Sequence, residues 1–154
     1  MYKIMFICHG NICRSPMAEF VCKDLVKKAG REAEFYIVSS AVSAEEIWGD
    51  IGNPIYRPVQ TLMTEKGIPF DKGKRAVQLK ASDAEKYDVF VCMDESNLVR
   101  AKRILGDRGA KKCRKLLSYA GSNEDVADPW YTRDFNAAYE DILRGCRAML
   151  EILK

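Results

Sequence analysis

The chain has 154 residues, of which 47% are hydrophobic and 31% charged, and its formal net charge is +3 at pH 7. These values are typical of one globular domain with a sizeable core, and so mild a charge gives no reason to expect nucleic acid or a membrane surface as a partner. The N-terminal apolar run of about six residues is too short for a signal peptide or a membrane span, so we expect a cytoplasmic protein.

Six cysteines are present, at positions 8, 13, 22, 92, 113 and 146. Because we find no secretion signal, we expect reduced thiols rather than a disulfide framework. Four residues separate Cys8 from Cys13, and the single histidine, His9, lies in the same stretch. This spacing is not that of a zinc site, and we expect no metal.

The first predicted unit is a strand, a loop, a helix and a second strand. Residues 2–8 form an apolar strand, Ser15 is a favourable N-cap, and Pro16 suits the first helical position. Apolar residues then recur at intervals of three and four, and Gly30 ends the helix. Residues 35–38 form the second strand. This order predicts a right-handed crossover between two parallel strands.

The remainder of the chain alternates between regular and irregular segments. We predict irregular backbone over 41–56 and little regular structure over 70–81. Helices are predicted over 57–65, 82–85, 94–106 and 135–153, and strands over 88–93 and 113–117, with a loop over 118–134. Residues 1–154 therefore form a single α/β domain, an open four-stranded parallel sheet with helices on both faces, similar to the three-layer sandwich of flavodoxin-like and Rossmann folds.

A loop rich in reactive and polar residues joins the first strand to the first helix, with the sequence Cys8-His9-Gly10-Asn11-Ile12-Cys13-Arg14-Ser15-Pro16. Backbone N–H groups at a helix start lack carbonyl partners and would cradle an anion. Arg14 adds a planar fork that holds two oxygens of a phosphate. Cys8 lies where this positive field converges, which favours its thiolate and makes it a candidate nucleophile. We therefore predict an N-terminal phosphate-binding loop.

Asp128 is our candidate for a general acid. A phosphate monoester attacked by Cys8 releases an alcohol whose oxygen needs a proton. Asp128 follows the last predicted strand, where ligands bind in open parallel sheets, and Pro129 stiffens the backbone beside it. The same carboxylate would then activate the water that hydrolyses the phosphocysteine. The alternative is that Asp128 is only a turn residue before proline.

The smaller loop residues each admit more than one role. Ser15 donates a hydrogen bond to the Cys8 sulfur, caps the helix, or does both. Asn11 takes a left-handed backbone conformation and ties the loop to Ser40, or serves only in a local turn. Gly10 permits a backbone conformation that strains other residues. These residues are therefore candidate supports of the loop.

The second cysteine, the histidine and three aromatic residues complete the candidates. Cys13 either has only a packing role, or it forms a disulfide with Cys8 that protects the Cys8 sulfur from over-oxidation. His9 lines the entrance or acts as a general base. Trp48, Trp130 and Tyr131 lie in loops, where they wall a cleft for a phenyl ring or pack on the surface.

The loop motif, together with Asp128-Pro129-Trp130-Tyr131, resembles the low-molecular-weight protein tyrosine phosphatases, and the likeness covers nearly the whole chain. It implies hydrolysis of phosphotyrosine and other aryl phosphate monoesters through a cysteinyl-phosphate intermediate, without a metal or other cofactor. The implied partners are phosphotyrosine-containing proteins or small aryl phosphates, and neither nucleic acid nor a membrane. We expect a monomer or a weak dimer.

The resemblance also implies roles for individual residues. Cys8 is the nucleophile, Arg14 binds the phosphate, and Asp128 is the general acid and base. Phosphate binding extends over the rest of the loop, namely His9, Gly10, Asn11, Ile12, Cys13 and Ser15. The loop is supported by Asn11, Ser15 and Ser40, the redox-protective cysteine is Cys13, and the aromatic walls of the cleft are Trp48 and Tyr131.

Three positions depart from the pattern of the family. Trp130 replaces the first of two tyrosines that often follow the Asp-Pro pair, and Val42 replaces a small residue after the second strand. Lys74-Arg75 lies where a histidine is often found before the third strand. These departures concern substrate preference and regulation by phosphorylation, and they leave the reaction intact.

The residues alone leave four other functions to be considered. Arsenate reductases of the same fold need further cysteines after the third strand, where this chain offers only Cys92. A phosphocysteine carrier of sugar transport has no leaving alcohol for Asp128 to protonate, and a non-catalytic phosphotyrosine-binding module has no need of Cys8. A phosphoarginine phosphatase shares the loop chemistry, but the bulk of Ile12 favours aryl phosphates over the longer guanidino group.

Overall fold

The computed structural model of the protein describes residues 1–153. Its strands, in chain order, are β1 (Tyr2–Cys8), β2 (Phe35–Ala41), β3 (Ile47–Trp48), β4 (Ile51–Gly52), β5 (Val89–Cys92) and β6 (Cys113–Lys115). Four of them form a parallel sheet in the order β2-β1-β5-β6, while β3 and β4 form a separate antiparallel hairpin. The predicted open four-stranded parallel sheet is confirmed.

Residues 1–153 contain five α-helices. They are α1 (Arg14–Lys28), α2 (Arg57–Glu65), α3 (Glu95–Ala110), α4 (Pro129–Thr132) and α5 (Phe135–Ile152). Three short 3-10 helices span Glu32–Glu34, Ala81–Glu85 and Leu116–Ala120. Among residues 1–153, no helix is both long and apolar enough to cross a membrane.

The two faces of the sheet bury different sets of side chains because side chains alternate along a strand. On one face, Ile4 and Phe6 of β1 belong to a core that also contains residues of α1, α2 and α5. On the other face, Met5 and Ile7 pack with residues of α3. Burying each such side chain contributes about 1.5–3 kcal/mol relative to leaving it exposed. Helices therefore cover both faces, as the run of apolar residues in β1 requires.

The start of α1 differs from the prediction. The helix begins at Arg14, and Cys13 takes the cap position without a side-chain hydrogen bond, so the prediction of Ser15 as N-cap is wrong. Ser15 lies in the first turn, where its hydroxyl contacts the Cys8 sulfur instead of a backbone N–H.

The later elements differ from the prediction at their ends. Gly106, with φ of 72°, interrupts α3 as expected, but helical backbone resumes beyond it to Ala110. The last strand is shorter than predicted, because the chain turns into a 3-10 helix at Leu116. The loop over 118–134 contains the short helix α4, and the hairpin β3–β4 lies within the segment predicted to be irregular.

The segment 70–81 has no helix until its last residue, yet backbone hydrogen bonds fix it to the sheet. The N–H of Ala41 donates to the carbonyl of Val77 at 2.8 Å, and the N–H of Leu79 donates to the carbonyl of Ala41 at 2.8 Å. The second strand extends to Ala41, beyond its predicted end at Val38, because it stays paired with β1 as far as Cys8. This segment, the end of β1 and the end of β5 all meet at the carboxyl edge of the sheet.

Candidate active site

The loop between β1 and α1 lies at the carboxyl edge of the sheet, as predicted. Asn11 takes the left-handed conformation, with φ of 60°. The carbonyls of Cys8, His9 and Ile12 accept hydrogen bonds from the N–H groups of Val42, Ser43 and Tyr56, at 3.1, 3.0 and 2.8 Å. An anion cradle requires carbonyls that are engaged outside it, because carbonyl oxygens facing a phosphate would repel it.

Gly10 does not take the strained conformation that we predicted. Its φ is not in the left-handed region, which Asn11 occupies instead. A Cβ at position 10 would lie 3.0 Å from Cγ of Glu46. The Glu46 side chain would therefore have to shift by a few tenths of an ångström to admit a Cβ at this position.

Two polar groups contact the Cys8 sulfur, which is almost fully buried at 3% exposure. Ser15 Oγ lies 3.0 Å from Cys8 Sγ, and the N–H of Asn11 donates to the same sulfur at 3.3 Å. Hydrogen bonds to the charged form of a group favour that form. This surrounding therefore suits a thiolate, for which the Ser15 hydroxyl would be the donor.

The side chain of Asn11 ties the loop to β2 through Ser39, whereas we predicted Ser40. Its Nδ2 donates to Ser15 Oγ at 2.7 Å and to Ser39 Oγ at 3.0 Å. The Ser40 hydroxyl donates to the sulfur of Met5 at 3.1 Å on the other side of the strand. Only the carbonyl of Ser40 reaches the site, where it lies 3.4 Å from Ser15 Oγ. Alternation along β2 decides which of the two serines faces Asn11.

Arg14 is 4% exposed and is held by three groups from distant parts of the chain. Its guanidinium donates to Asp94 Oδ2 at 2.8 Å and to the carbonyl of Val126 at 3.0 Å, and lies 3.5 Å from Asp128 Oδ2. Burial opposes its charge, but the attraction of Cys8, Asp94 and Asp128 outweighs burial and raises the pKa of Arg14. The guanidinium is therefore charged and fixed in orientation before any ligand arrives.

Asp94 is a site residue that the sequence analysis missed. It had a sufficient local explanation, since its Oδ1 accepts from the N–H of Asn97 at 2.8 Å and so caps α3. The available signal was its position directly after the apolar strand at the centre of the sheet, where side chains point toward the ligand-binding edge.

Asp128 lies at the rim of the same site. Its Oδ1 accepts from the N–H of Trp130 at 3.1 Å and caps α4, while its Oδ2 faces Arg14. Its side chain is 24% exposed, in contrast to Arg14. The predicted turn role and the predicted approach to the loop are therefore both present in one carboxylate.

Cys8, Arg14 and Asp128 line one cleft of about 540 Å³. His9 stands at its mouth, where Nε2 contacts Glu45 Oε2 at 2.9 Å and Nδ1 contacts the guanidinium of Arg100 at 3.1 Å. The other residues that line the cleft are Gly10, Ile12, Cys13, Glu45, Glu46, Asp94, Ser96, Asn97, Trp130 and Tyr131.

The aromatic residues are distributed differently from the prediction. Tyr131 lines the cleft and is 86% exposed, as a residue at an open rim would be. Trp48 is 74% exposed on the β3–β4 hairpin and is not part of the cleft lining. Trp130 lines the cleft and packs against Tyr56, with 5.1 Å between the ring centroids. In this conformation the two aromatic walls are Trp130 and Tyr131.

Cys13 is buried beside Cys8, and all six cysteines are free thiols. Burial, and to a smaller extent Cys8, raise the pKa of Cys13 to about 12. Cys13 is therefore a neutral thiol at physiological pH. Within residues 1–153, no three His, Cys, Asp or Glu side chains are grouped so that they could hold a metal ion.

A family profile described as "Low molecular weight phosphotyrosine protein phosphatase" matches residues 3–154. The chain belongs to this family. The Cys8 loop, Arg14 and Asp128 thus occupy one cleft in a low-molecular-weight phosphatase fold. The family resemblance seen in the sequence is confirmed.

Individual members of this phosphatase family are similar to this chain over almost its full length. The low molecular weight protein-tyrosine-phosphatase YfkJ of Bacillus subtilis is 34% identical over 152 residues, which are 97% of this chain and 94% of that protein. Its crystal structure superimposes with a TM-score of 0.91. The human low molecular weight phosphotyrosine protein phosphatase is 36% identical, over 96% of this chain and 93% of that protein. The structure of DARP, a Drosophila arginine phosphatase, is 30% identical with a TM-score of 0.86, over 99% and 98% of the two chains.

Proposed function

We propose that this phosphatase hydrolyses phosphotyrosine and related aryl phosphate monoesters through a cysteinyl-phosphate on Cys8. The convergence of Cys8, Arg14 and Asp128 carries this proposal, since Asp128 lies 120 positions after Cys8 in the chain yet lines the same cleft. A phosphocysteine carrier has no use for an acid at this place. An arsenate reductase needs further thiols after the third strand of the parallel sheet, where this chain offers only Cys92, which is fully buried in β5.

The first step transfers the phosphoryl group to the enzyme. The N–H groups of the loop and the guanidinium of Arg14 bind the non-bridging oxygens and the charge that spreads over them in the transition state. The Cys8 thiolate forms a bond to phosphorus while the bond from phosphorus to the phenolic oxygen breaks. Asp128 donates its proton to that oxygen, which contributes on the order of a hundred- to ten-thousandfold in rate. The phenol then leaves.

The second step releases the phosphate. Asp128, now a carboxylate, takes a proton from a water molecule whose oxygen attacks phosphorus. The bond between phosphorus and sulfur breaks, and Cys8 returns to the thiolate that the Ser15 hydroxyl and the Asn11 N–H stabilise. Inorganic phosphate leaves the loop, and Asp128 is again protonated for the next cycle.

The walls of the cleft favour an aryl substrate. Ile12 is 7% exposed and narrows the cleft next to the loop, while Trp130 and Tyr131 offer ring faces at the rim. A phenyl ring between these walls would be desolvated on both sides. The alternative substrate is phosphoarginine in proteins, because one similar structure is that of an arginine phosphatase.

The partners we propose are phosphotyrosine-containing proteins or small aryl phosphates. We also propose a cytoplasmic location and a monomer or weak dimer. Cell fractionation checks the location, and light scattering after size-exclusion chromatography checks the oligomeric state.

One set of assays tests the proposed function. The purified protein is incubated in EDTA with para-nitrophenyl phosphate, a phosphotyrosine peptide and a phosphoarginine peptide. We expect turnover of the first two, none with Cys8→Ser, and a loss of kcat of about 10²- to 10⁴-fold with Asp128→Ala at nearly unchanged affinity for inorganic phosphate. Absence of turnover by the wild type would overturn the proposal. Faster turnover of phosphoarginine than of phosphotyrosine would assign the alternative substrate.

A further inference from the structure

The amine of Lys74 lies beneath the phosphate-binding loop, on the side away from the cleft. Lys74 belongs to the segment 70–81, which our sequence analysis left without a role in the site. Its Nζ donates to Asn11 Oδ1 at 2.9 Å, to the carbonyl of Arg75 at 3.1 Å and to the carbonyl of Ser39 at 3.4 Å. The three donors of an ammonium group thus have three acceptors, one of which belongs to the loop.

Lys74 and the backbone N–H of Val77 together fix the orientation of the Asn11 amide. Asn11 Oδ1 accepts from Lys74 Nζ and also from the N–H of Val77 at 3.1 Å. An ammonium cannot accept a hydrogen bond, so a rotated amide that presents Nδ2 to Lys74 is excluded. Nδ2 must then point to Ser15 and Ser39, to which it donates.

The orientation of Asn11 determines what the Ser15 hydroxyl can do. Ser15 Oγ already accepts from Asn11 Nδ2, so its own proton is available to donate. The two acceptors near it are Cys8 Sγ at 3.0 Å and the carbonyl of Ser40 at 3.4 Å. A rotated Asn11 would place Oδ1 beside Ser15 and would take this proton away from the sulfur. The thiolate would then lose a donor.

The positive charge of Lys74 also favours the thiolate form of Cys8. Burial lowers the pKa of Lys74, whereas Glu19, Cys8 and Asp71 raise it and Lys23 lowers it. Glu19 is itself 5% exposed, and its two oxygens are engaged by Lys23 Nζ and Ser39 Oγ, both at 2.6 Å. A cation beneath the loop attracts the thiolate of Cys8 and has no comparable effect on the neutral thiol.

We propose that Lys74 is a positioning residue for the nucleophile: it holds Asn11 in the orientation that leaves the Ser15 hydroxyl free to donate to Cys8, and its charge favours the thiolate. This proposal rests on the proposed function of Cys8. Lys74 does not line the cleft, so it acts through Asn11 and Ser15 rather than on the substrate.

The test measures the ionisation of Cys8 directly. The wild type and Lys74→Met are treated with iodoacetamide across pH 4–9, and alkylation of the Cys8 peptide is followed by mass spectrometry. We expect the midpoint of the alkylation profile to rise by about one pH unit in Lys74→Met, with a loss of kcat/KM on para-nitrophenyl phosphate that approaches tenfold at pH values below the midpoint. Lys74→Arg keeps a charged donor, and we expect it to restore a large part of both.

Lys86→Met is the matched control, because Lys86 lines the same cavity of about 380 Å³ as Lys74 and is exposed. Neither its alkylation midpoint nor its kcat/KM should change. If Lys74→Met fails to fold by circular dichroism, Lys74→Gln replaces it. An unchanged Cys8 midpoint in the folded uncharged variant overturns the proposal, as does an equal shift in Lys86→Met. Alkylation needs no turnover, so this result is independent of whether the proposed phosphatase activity is found.

Discussion

Replacing Asp94 by asparagine tests whether this carboxylate holds Arg14 in its binding orientation. Asparagine is as good an N-cap as aspartate, so the cap of α3 on the N–H of Asn97 is kept. What is lost is the charge and the acceptor that face the buried guanidinium at 2.8 Å, because the amide oxygen of asparagine stays on the cap and its amide nitrogen cannot accept from Arg14. The substitution therefore separates the local role of Asp94 from its role in the site.

The expected effect follows from the surroundings of Arg14. A hydrogen bond to a charged group contributes about 1.5–3 kcal/mol to stability. Since Asp128 Oδ2 remains 3.5 Å from the guanidinium, we expect a value in the lower part of this range, about 2 kcal/mol. The free energy of unfolding should fall by this amount. If the same amount is lost from transition-state binding, kcat/KM falls about 30-fold, because each tenfold corresponds to about 1.36 kcal/mol.

Urea unfolding and steady-state kinetics on para-nitrophenyl phosphate measure the two effects. Glu95→Gln is the control, since Glu95 is next in sequence, its side chain is 63% exposed, and its contact with Lys115 is long at 3.9 Å. We expect a change below about 0.5 kcal/mol for the control. The assigned role of Asp94 is refuted if kcat/KM of Asp94→Asn stays within threefold of the wild type.

Three further predictions concern the loop. Burial raises the pKa of Cys13 to about 12, so this thiol is protonated below that pH. Iodoacetamide at pH 8 should therefore label Cys8 and spare Cys13 in peptide mass spectra. Equal labelling of both cysteines would contradict this prediction. Peroxide treatment should leave the wild type with a disulfide between Cys8 and Cys13, and dithiothreitol should then restore its activity, whereas Cys13→Ser should stay inactive. Full recovery of the variant would show that Cys13 has no protective role. Truncation of the wall by Ile12→Ala should raise the ratio of phosphoarginine to phosphotyrosine turnover at least severalfold, and an unchanged ratio in a competition assay would show that Ile12 does not select the substrate.

The parts of the site that are local in sequence could be predicted from it. Residues 8–14 carry the strand end, the candidate nucleophile Cys8, the left-handed Asn11 and Arg14 within a few positions, so their relation hardly depends on the rest of the fold. Asp128 was also found, because a carboxylate after the last strand must lie at the carboxyl edge of a parallel sheet.

The groups that hold these residues in place were harder to predict. Asp94 lies 80 positions from Arg14 and already had a local role as a cap, so nothing in its neighbourhood called for a second role. Lys74 lies in a segment without apolar periodicity. Ser39 could have been chosen over Ser40 from the alternation along β2, since Phe35 and Ile37 belong to the core on the α1 side and Ser39 shares their parity.

The exposure of Trp48 depends on tertiary contacts that its own segment does not determine. The hairpin β3–β4 contains only two residue pairs. Trp48 lies opposite Ile51, which is itself 67% exposed. A residue pattern of this length has no buried face to define an orientation. The sequence therefore predicted that Trp48 lies in a loop, but it did not determine whether the side chain lines the cleft.

The segment that contains Lys74 also protects an edge of the sheet. β2 is an outer strand, and an outer strand presents unpaired backbone groups on which another chain can assemble. Through the two hydrogen bonds between Ala41 and residues 77 and 79, this segment closes the end of that edge nearest the nucleophile. Local opening of the segment would withdraw support from Asn11 and expose strand backbone in the same event. Loss of the support for Asn11 and exposure of the end of β2 would therefore occur together.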